Sequence, residues 1–442
     1  METDRFGCII VGGGVAGLSA AMVLARHEVP FLLIERGAYS GAKNVSGGVL
    51  WGTDLARLVP AYWNDPEAGF ERFINHRRLT FLDEQSAFSL DFKSSHYESP
   101  PYMGVTVLRA VFDRWLASKV QEVIDQSACA DVSLLVFDVL VERLLTQDGR
   151  VIGVEAGGER FYADCVILAE GVNNLLTRQI GLQADYVPAH YMAVGVKEVL
   201  RFDERVLEDR FQLSGRSGLA NEFLGAITEG VEGGGFLYTN RNTVSIGLVL
   251  GIADLARQHK TPYELLDRFK SHPVIADMIR GGEVVEYAAH VVSTGDLRAM
   301  PREVYADGVL VVGEAANLLL NTGRAIQGMD FAMHSGILAA ETVLEARAAG
   351  DFSAATLQRY RERLEQSYVL QNMRNFQAAV RLLHEPVMRE RLPRLACDLG
   401  RAVFQVENRP TPKLRQIIRD VARRHGSPLE LLKLAYRAWK AL

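Results

Sequence analysis

The first 35 residues combine short apolar runs with a longer segment whose apolar positions have helical spacing. Cys8–Val11 and Phe31–Ile34 are continuous apolar runs, which are typical of buried strands. Between them, apolar side chains recur three or four residues apart, at Val15, Leu18, Ala21, Met22 and Ala25. The pattern predicts a strand, a turn, a helix and a second strand, the unit from which parallel sheets are built.

Three glycines occupy the turn between the first strand and the helix. Gly12, Gly14 and Gly17 have GxGxxG spacing within GGGVAGLSAA. In such a motif the first glycine permits a tight turn, the second lets a pyrophosphate approach the backbone, and the third lets the helix pack closely on the strand. The free N–H groups at the helix N-terminus then face the phosphates. The motif in this context predicts a dinucleotide-binding site.

An acidic residue follows the second strand. Glu35 lies where a carboxylate accepts hydrogen bonds from ribose hydroxyls in dinucleotide-binding folds. A negative charge here disfavours a ribose 2′-phosphate, so we do not expect NADP at this site.

A later segment favours FAD over NAD. An apolar run at Val309–Val312 leads into Gly313 and Glu314, and a helical pattern follows the sequence Gln327-Gly328-Met329-Asp330. A returning strand that presents an acidic turn and a helix N-terminus suits FAD, which needs contacts for its ribityl chain and ring. N–H groups near Gly328 would face the flavin N1–O2 edge, where negative charge develops on reduction. By itself, this segment also fits an ordinary buried strand and helix.

Composition and charge narrow the class of protein. The chain has 442 residues, 48% of them apolar and 23% charged, as in a globular protein of two or three domains. The net charge of −5 gives no reason to expect a nucleic-acid partner. Residues 1–7 do not resemble a targeting signal, and no apolar run reaches the roughly 18 residues of a transmembrane helix. We therefore expect a cytoplasmic location, with peripheral attachment to the inner face of the membrane as a further possibility.

The cysteines are too far apart for a metal centre. Cys8, Cys129, Cys165 and Cys397 form no CxxC pair, whereas zinc and iron–sulfur sites need closely spaced thiolates. We expect buried, reduced cysteines and no metal. If electrons pass through an iron–sulfur cluster, that cluster is expected on another protein.

No second GxGxxG motif has a strand–helix context. The glycine-rich stretch at 230–236 is followed by Phe236, Leu237 and Tyr238, which begin a strand pattern. We therefore expect no dedicated NAD(P)H domain, and an electron donor that is a protein or a transiently bound small molecule.

The C-terminal region is basic. Residues 389–442 contain 13 Lys and Arg against 5 Asp and Glu. Ser427 and Glu430 match a capping box with proline at the first helical position. The helix they predict carries an apolar stripe of Leu429, Leu432, Tyr436 and Trp439 beside a basic stripe of Lys433, Arg437 and Lys440. Docking on an anionic membrane or partner and ordinary packing on the protein body both fit this pattern.

Several segments taken together resemble one family. They are VGGGVAGLSAA, GAKNVSGGVL (41–50), LRAVFDRWLA (108–117), VILAEGVNN (166–174), GGGFLYTNRNTVSIGL (233–248), GVLVVGEAAN (308–317) and NTGRAIQGMDFAMHSG (321–336). In this order they resemble the FixC family of flavoproteins, which is related to electron-transfer-flavoprotein:quinone oxidoreductase and to geranylgeranyl reductases. The resemblance covers nearly the whole chain.

The resemblance implies an α/β fold of the p-hydroxybenzoate hydroxylase type. A Rossmann-like FAD-binding domain is expected at 1–75, 106–180 and 300–350. An inserted antiparallel-sheet domain at 76–105 and 181–299 would cover the flavin. A helical, basic C-terminal region is expected at 351–442.

It also implies a set of FAD-binding residues and no catalytic side chain. The cofactor-binding residues expected from the motifs are Gly12, Gly14, Gly17, Glu35, Arg36, Lys43, Ser46, Gly47, Gly48, Arg109, Val141, Ala169, Glu170, Gly171, Gly313, Glu314, Gln327, Gly328 and Met329. The chain departs from the family where Glu314 replaces the usual aspartate and Asn317 a frequent glycine. The longer glutamate side chain must fold back to reach the same ribityl hydroxyl.

The function implied is electron transfer to a quinone. A two-subunit electron-transfer flavoprotein would donate electrons, a separate ferredoxin-like protein of the FixX kind would supply the cluster, and a membrane quinone would accept. A prenyl reductase acting on isoprenoid lipids is an alternative, although Phe236-Leu237-Tyr238 departs from the aromatic-Phe-Pro signature of that family. A flavin monooxygenase and a non-catalytic flavin-binding subunit of an electron-transfer complex are further alternatives.

Overall fold

The computed structural model describes residues 5–43 and 47–441. Its strands are β1 (Arg5–Val11), β2 (Phe31–Ile34), β3 (Gly48–Trp51), β4 (Phe70–Leu82), β5 (Ala87–Lys93), β6 (Gly104–Val107), β7 (Leu134–Val136), β8 (Val141–Gln147), β9 (Arg150–Ala156), β10 (Glu159–Leu168), β11 (Met192–Arg201), β12 (Ser217–Gly225), β13 (Gly233–Thr239), β14 (Thr243–Gly251), β15 (Glu283–Ser293), β16 (Tyr305–Ala306), β17 (Val309–Val311), β18 (Leu320–Asn321) and β19 (Ile326–Gln327).

The helices lie between these strands and after them along the chain. They are α1 (Val15–Arg26), α2 (Asp54–Leu58), α3 (Arg109–Asp125), α4 (Leu175–Gln179), α5 (Glu204–Phe211), α6 (Ile252–Gln258), α7 (Pro262–Ser271), α8 (Pro273–Ile279), α9 (Met329–Ala349), α10 (Ala354–Gln366), α11 (Tyr368–Asn375), α12 (Gln377–Leu383), α13 (Leu392–Phe404), α14 (Leu414–Arg424) and α15 (Pro428–Ala441). None of the described helices is long and apolar enough to cross a bilayer.

The first sheet has a parallel centre. Its strands run in the order β16-β17-β10-β1-β2-β7, and β17, β10, β1, β2 and β7 pair in parallel. The central strands β1 and β2 are covered on both faces, so they have continuous apolar sequences, as predicted. Strands β8 and β9 extend this sheet from β10 through antiparallel pairs.

The second sheet forms the other layer of the site. Its order is β15-β11-β14-β13-β12-β4-β6-β3, with β5 paired to β4. Most neighbours are antiparallel, whereas β12 and β4 pair in parallel. Helix α7 packs on one face through a buried cluster around Leu265, Leu266 and Phe269. The opposite face is turned toward the first sheet.

Helices α1 and α9 cross at very short range. A Cβ atom at Gly336 of α9 would lie 2.1 Å from the backbone oxygen of Ala16 in α1, so only glycine permits this approach. Helix α1 also contacts α3. The C-terminal helices α10–α15 follow α9 along the chain.

The predicted fold class is confirmed: a Rossmann-like unit, a second sheet against it and a helical C-terminal part. The strand, helix and second strand predicted around the glycine motif are found as β1, α1 and β2. The apolar run at Val309–Val312 forms β17 at Val309–Val311. The domain boundaries given above remain a prediction.

Candidate functional site

A cavity of about 510 Å³ lies between the two sheets. On one side it is lined by the segments that follow β1, β2, β10 and β17, which are adjacent strands of the first sheet. On the other side it is lined by residues of β11, β13, β14 and β15. Ligands of open α/β sheets bind at the carboxyl ends of the strands, so this cavity is the candidate cofactor site.

Most of the predicted site residues meet at this cavity. It is lined by Gly12, Gly14, Glu35, Arg36, Lys43, Gly47, Gly48, Arg109, Val141, Ala169, Glu170, Gly171, Glu314, Gly328 and Met329. Gly17, Gly313 and Gln327 lie off its described wall. Ser46 lies outside the described residues. Direct contact of each residue with the cofactor remains a prediction.

The glycine loop is shaped by close backbone approaches. Gly12 has φ of +108°, and a Cβ there would lie 2.4 Å from the backbone oxygen of Ala169. A Cβ at Gly17 would lie 2.0 Å from the oxygen of Gly12. Gly14 is the N-cap of α1 and has an ordinary extended backbone with φ of −81°. Gly12 and Gly17 are therefore required by the protein itself, whereas Gly14 lines the cavity with a backbone conformation that any residue adopts.

Glu35 holds the two turns beside it. One carboxylate oxygen accepts a hydrogen bond from the Gly13 N–H at 2.8 Å, and the other accepts from the Gly37 N–H at 2.7 Å. An ionised carboxylate has further lone pairs for a ligand hydroxyl. Glu35 thus combines a structural role with a position at the cavity.

Two arginines bring positive charge to this end of the cavity. Arg109, the first residue of α3, donates two hydrogen bonds of 2.7 Å to Asp113. Burial alone would lower the pKa of Arg109, but the charge of Asp113 and these hydrogen bonds raise it, so the guanidinium stays charged. Burial and the charges of Arg109 and Arg36 lower the pKa of His290, which lines the same cavity. This end suits the phosphates of a dinucleotide.

Glu170 is committed to the fold as well as to the cavity wall. Its side chain accepts hydrogen bonds from the N–H groups of Leu176 and Thr177 and from the Thr177 hydroxyl at 2.7–2.9 Å. These donors lie in the first turn of α4, so Glu170 fixes the start of that helix.

The two departures from the family pattern have local explanations. The Glu314 carboxylate accepts a hydrogen bond from the Ser293 N–H at 3.1 Å, and burial raises its pKa despite that bond and the nearby Arg109. The longer side chain is thereby held by the second sheet. Asn317 has φ of +57°, a left-handed conformation that glycine adopts without strain and asparagine tolerates.

The N-terminus of α9 lies over a buried polar cluster. Gln327 donates to Asp330 at 2.7 Å, and burial raises the pKa of Asp330 to about 7. Below it, Asp54 accepts hydrogen bonds from Tyr368 at 2.9 Å and contacts His334 Nδ1 at 3.0 Å. Gln327 therefore supports the helix start through Asp330. The sequence pattern did not indicate this cluster, because its members are far apart in the chain.

The resemblance implied that a sheet domain covers the flavin, but the residues of the wall formed by the second sheet were not predicted. Lys197, Phe236, Tyr238 and His290 line the cavity from β11, β13 and β15. Phe236 and Tyr238 stack with ring centroids 5.0 Å apart. Strand alternation shows that every second residue shares a face, but does not show which face meets the other sheet.

Comparisons with protein families give three regions of similarity. Residues 8–133 match the model for FAD dependent oxidoreductases, residues 192–292 match "ETF-QO, ubiquinone-binding", and residues 379–442 match "ETF-QO/FixC family C-terminal domain". The chain is 41% identical to "Protein FixC" of Escherichia coli O157:H7, over 98% of this chain and 97% of that protein. The chain belongs to the FixC family. The resemblance found in the sequence is thereby confirmed.

A further relative and two solved structures match over nearly the whole chain. The chain is 38% identical to "Probable electron transfer flavoprotein-quinone oxidoreductase YdiS" of Escherichia coli K12, and the match spans both proteins completely. A solved geranylgeranyl bacteriochlorophyll reductase-like protein from Thermoplasma acidophilum has a similar fold, with a TM-score of 0.71 at 19% identity over 98% of this chain and all of that one. The halogenase CndH is similar with a TM-score of 0.65, at 17% identity over 96% of this chain and 97% of that one.

This member of the FixC family is an FAD-dependent oxidoreductase. The residues present fit the cofactor: a glycine loop that side chains would fill, arginines at one end, and a buried lysine ammonium without a described partner on the opposite wall. The predictions of a flavoprotein and of FAD are confirmed.

Proposed function

We propose that this protein passes electrons from a two-subunit electron-transfer flavoprotein, with a separate ferredoxin-like protein, through FAD to a membrane quinone. The observation that carries the proposal is the match of residues 192–292 to the ubiquinone-binding model of ETF-QO. This stretch contains β11, β13 and β14 and most of β15, which supply the second wall of the cavity.

The chemistry of that wall suits a quinone. Phe236, Tyr238, Val249 and Val292 present aromatic and aliphatic surface to the cavity. A quinone headgroup is flat and largely apolar, with two carbonyl oxygens, and such ligands favour apolar pockets with few polar groups. When bound, FAD supplies the redox chemistry, and the protein has to bind, orient and tune it.

We assign the glycine loop and α1 to the pyrophosphate, and Glu35 to the adenosine ribose. Gly328 and Met329, which begin α9 and line the cavity, are assigned to the flavin ring. The free N–H groups of a helix N-terminus stabilise negative charge on a bound group.

Glu35→Ala should weaken FAD binding roughly 10- to 150-fold, because a charge-assisted hydrogen bond contributes about 1.5–3 kcal/mol. Titration of apoprotein with FAD, followed by flavin fluorescence, measures the change. Glu142→Ala is the matched control, since Glu142 is an exposed carboxylate on the rim of the same cavity. Equal affinities of both variants and the wild type would remove Glu35 as the ribose ligand.

The electron donor provides the main test of the proposed function. Reduced electron-transfer flavoprotein, together with the ferredoxin-like partner, should reduce the bound FAD and then a quinone at turnover rates. NADH or NADPH alone should reduce it at well below ~1 per second, a slow rate for an enzyme. Anaerobic stopped-flow spectra measure both reactions. Fast bleaching by NAD(P)H would favour a monooxygenase, and saturation of a prenyl chain would favour the prenyl reductase.

A lipid surface is the second element of the proposal. Successive C-terminal helices leave large apolar side chains exposed, including Phe404 at the end of α13, Ile418 on α14 and Trp439 on α15. Helices α14 and α15 also carry exposed basic residues, such as Arg419 and Lys433. Exposed aromatic and aliphatic groups beside basic residues suit the interface of an anionic membrane. Such attachment would bring the cavity to a quinone dissolved in lipid.

A further inference from the structure

Lys197 is a buried cation on the cavity wall. It belongs to β11, and its relative exposure is 2%. Its Nζ atom is buried, and no hydrogen-bond partner for it is found among the described residues. An ammonium group removed from water without a partner is costly, so such a group needs a ligand to accept its hydrogen bonds.

The surroundings fix where this ammonium lies. A Cβ atom at Gly47 would be 2.9 Å from Lys197 Nζ and 3.0 Å from Ser245 Oγ, so all three meet at the loop that begins β3. Gly247 makes room for the stem, because a Cβ there would lie 2.7 Å from Lys197 Cβ. The side chain of Lys197 is therefore packed over the neighbouring strand β14, which contains Gly247.

This position belongs to the ring end of the cavity. The next residue of the loop, Gly48, would place a Cβ 3.2 Å from Met329 Cε at the start of α9. Lys197 itself lines the cavity, and its ammonium meets the same loop. The ammonium therefore lies near the start of α9.

We propose that the Lys197 ammonium contacts the isoalloxazine ring of bound FAD and favours its reduced, negatively charged form. Two electrons and one proton convert oxidised flavin into an anion with one negative charge, and a nearby ammonium stabilises that anion. The proposal requires only bound FAD. It does not depend on the identity of the electron donor or of the acceptor.

The charge of Lys197 is sensitive to pH. Burial lowers the pKa of Lys197 to about 8, against the opposing effect of Glu286 on β15. The Ser245 hydroxyl on β14 is a further polar group close to it. The ammonium is therefore fully charged well below pH 8 and is lost as the pH rises through that value.

The test is the equilibrium between protein-bound flavin and a redox dye at pH 7, with dithionite or an enzymatic system as the reductant. Lys197→Met should shift the equilibrium constant for flavin reduction at least roughly tenfold toward the oxidised form, which is about 30 mV for two electrons. Lys197→Arg should restore most of the wild-type value. Lys270→Met is the control. Lys270 Nζ forms an ion pair with Glu198 Oε1 at 2.8 Å, and neither residue belongs to the described cavity wall.

An unchanged equilibrium constant in Lys197→Met with full FAD loading would overturn the proposal. If that variant does not retain FAD, the pH dependence of flavin reduction in the wild-type protein tests the proposal instead. Between pH 6.5 and 9.5, its reduction equilibrium relative to free FAD should move toward oxidised flavin above about pH 8. A constant difference from free FAD across this range would also overturn the proposal. Quinone activity is not measured in either experiment, so the proposed function is tested separately.

Discussion

Gly14→Val is expected to yield a folded protein that purifies without its yellow cofactor. Gly14 has φ of −81° and ψ of −175°, which valine adopts without strain, so the backbone does not require glycine. The added side chain would enter the space assigned to the pyrophosphate. An overpacking cost of up to about 3 kcal/mol corresponds to roughly 100-fold weaker FAD binding.

The measurements are the ratio of flavin to protein absorbance and the thermal unfolding of the apoprotein. Gly17→Val serves as a contrast, because its Cβ would lie 2.0 Å from the Gly12 oxygen. That variant should fail to fold or lose thermal stability, whereas Gly14→Val should unfold like wild-type apoprotein. Stoichiometric FAD in Gly14→Val would show that the glycine loop does not meet the pyrophosphate.

The second large effect concerns attachment to lipid. Replacing Leu432 and Trp439 with serine should lower binding to anionic vesicles at least about 100-fold, because burial of each of the two side chains is worth about 1.5–3 kcal/mol. Both side chains are more than half exposed, at 66% and 78%, so the fold should be retained. Cosedimentation with phosphatidylserine-containing vesicles measures the binding. FAD content should not change, since these residues lie outside the described cavity wall.

The chain offers matched controls for this experiment. Leu90 and Phe92 are similarly exposed, at 58% and 57%, on β5 of the second sheet, and their replacement by serine should leave vesicle binding intact. Lys433→Gln with Lys440→Gln tests charge alone, and its effect should shrink at high salt. Unchanged vesicle binding in the Leu432 and Trp439 variant would exclude membrane docking through α15. Loss of ferredoxin-like subunit binding instead would assign the surface to that partner.

The first sheet could be predicted because its signals are local. Each central strand is a short apolar run, and Gly12, Gly14 and Gly17 lie within one turn and the helix that it begins. Parallel strands end at a common edge, so residues after β1, β2, β10 and β17 are brought together by topology. The positions of Glu35 and Glu314 at one cavity follow from that rule.

The second wall could not be predicted in the same way. Lys197, Tyr238 and His290 lie on strands that are separated along the chain by other strands and helices. These strands pair in the order β15-β11-β14-β13. Whether these three residues come together depends on the register of those strand pairs. It also depends on which face of the second sheet is turned to the first sheet. Neither is encoded locally in the sequence.

The C-terminal helix shows a different limit. Its capping box is confirmed, because the Glu430 N–H donates to the Ser427 hydroxyl at 3.2 Å and the Ser427 N–H donates to Glu430 at 3.3 Å. The apolar stripe that begins at Leu429 could have been the face that packs on the protein body. Instead, Leu434, Ala438 and Ala441 form the face that packs near α12. The helix has two apolar faces, and only the tertiary structure distinguishes the buried one.

The crossing of α1 and α9 has a consequence for the length of any bound cofactor. Because Gly336 and Ala16 meet through backbone atoms, the spacing between the two helices does not depend on the size of core side chains. Both helices begin at the cavity wall, and a Cβ at Gly313 would lie 3.2 Å from Ala16 and 3.4 Å from Ala332 in their first turns. Two helix N-termini are therefore held at a fixed spacing on one wall of the cavity, so the groups of a bound cofactor that they meet have to be a fixed distance apart.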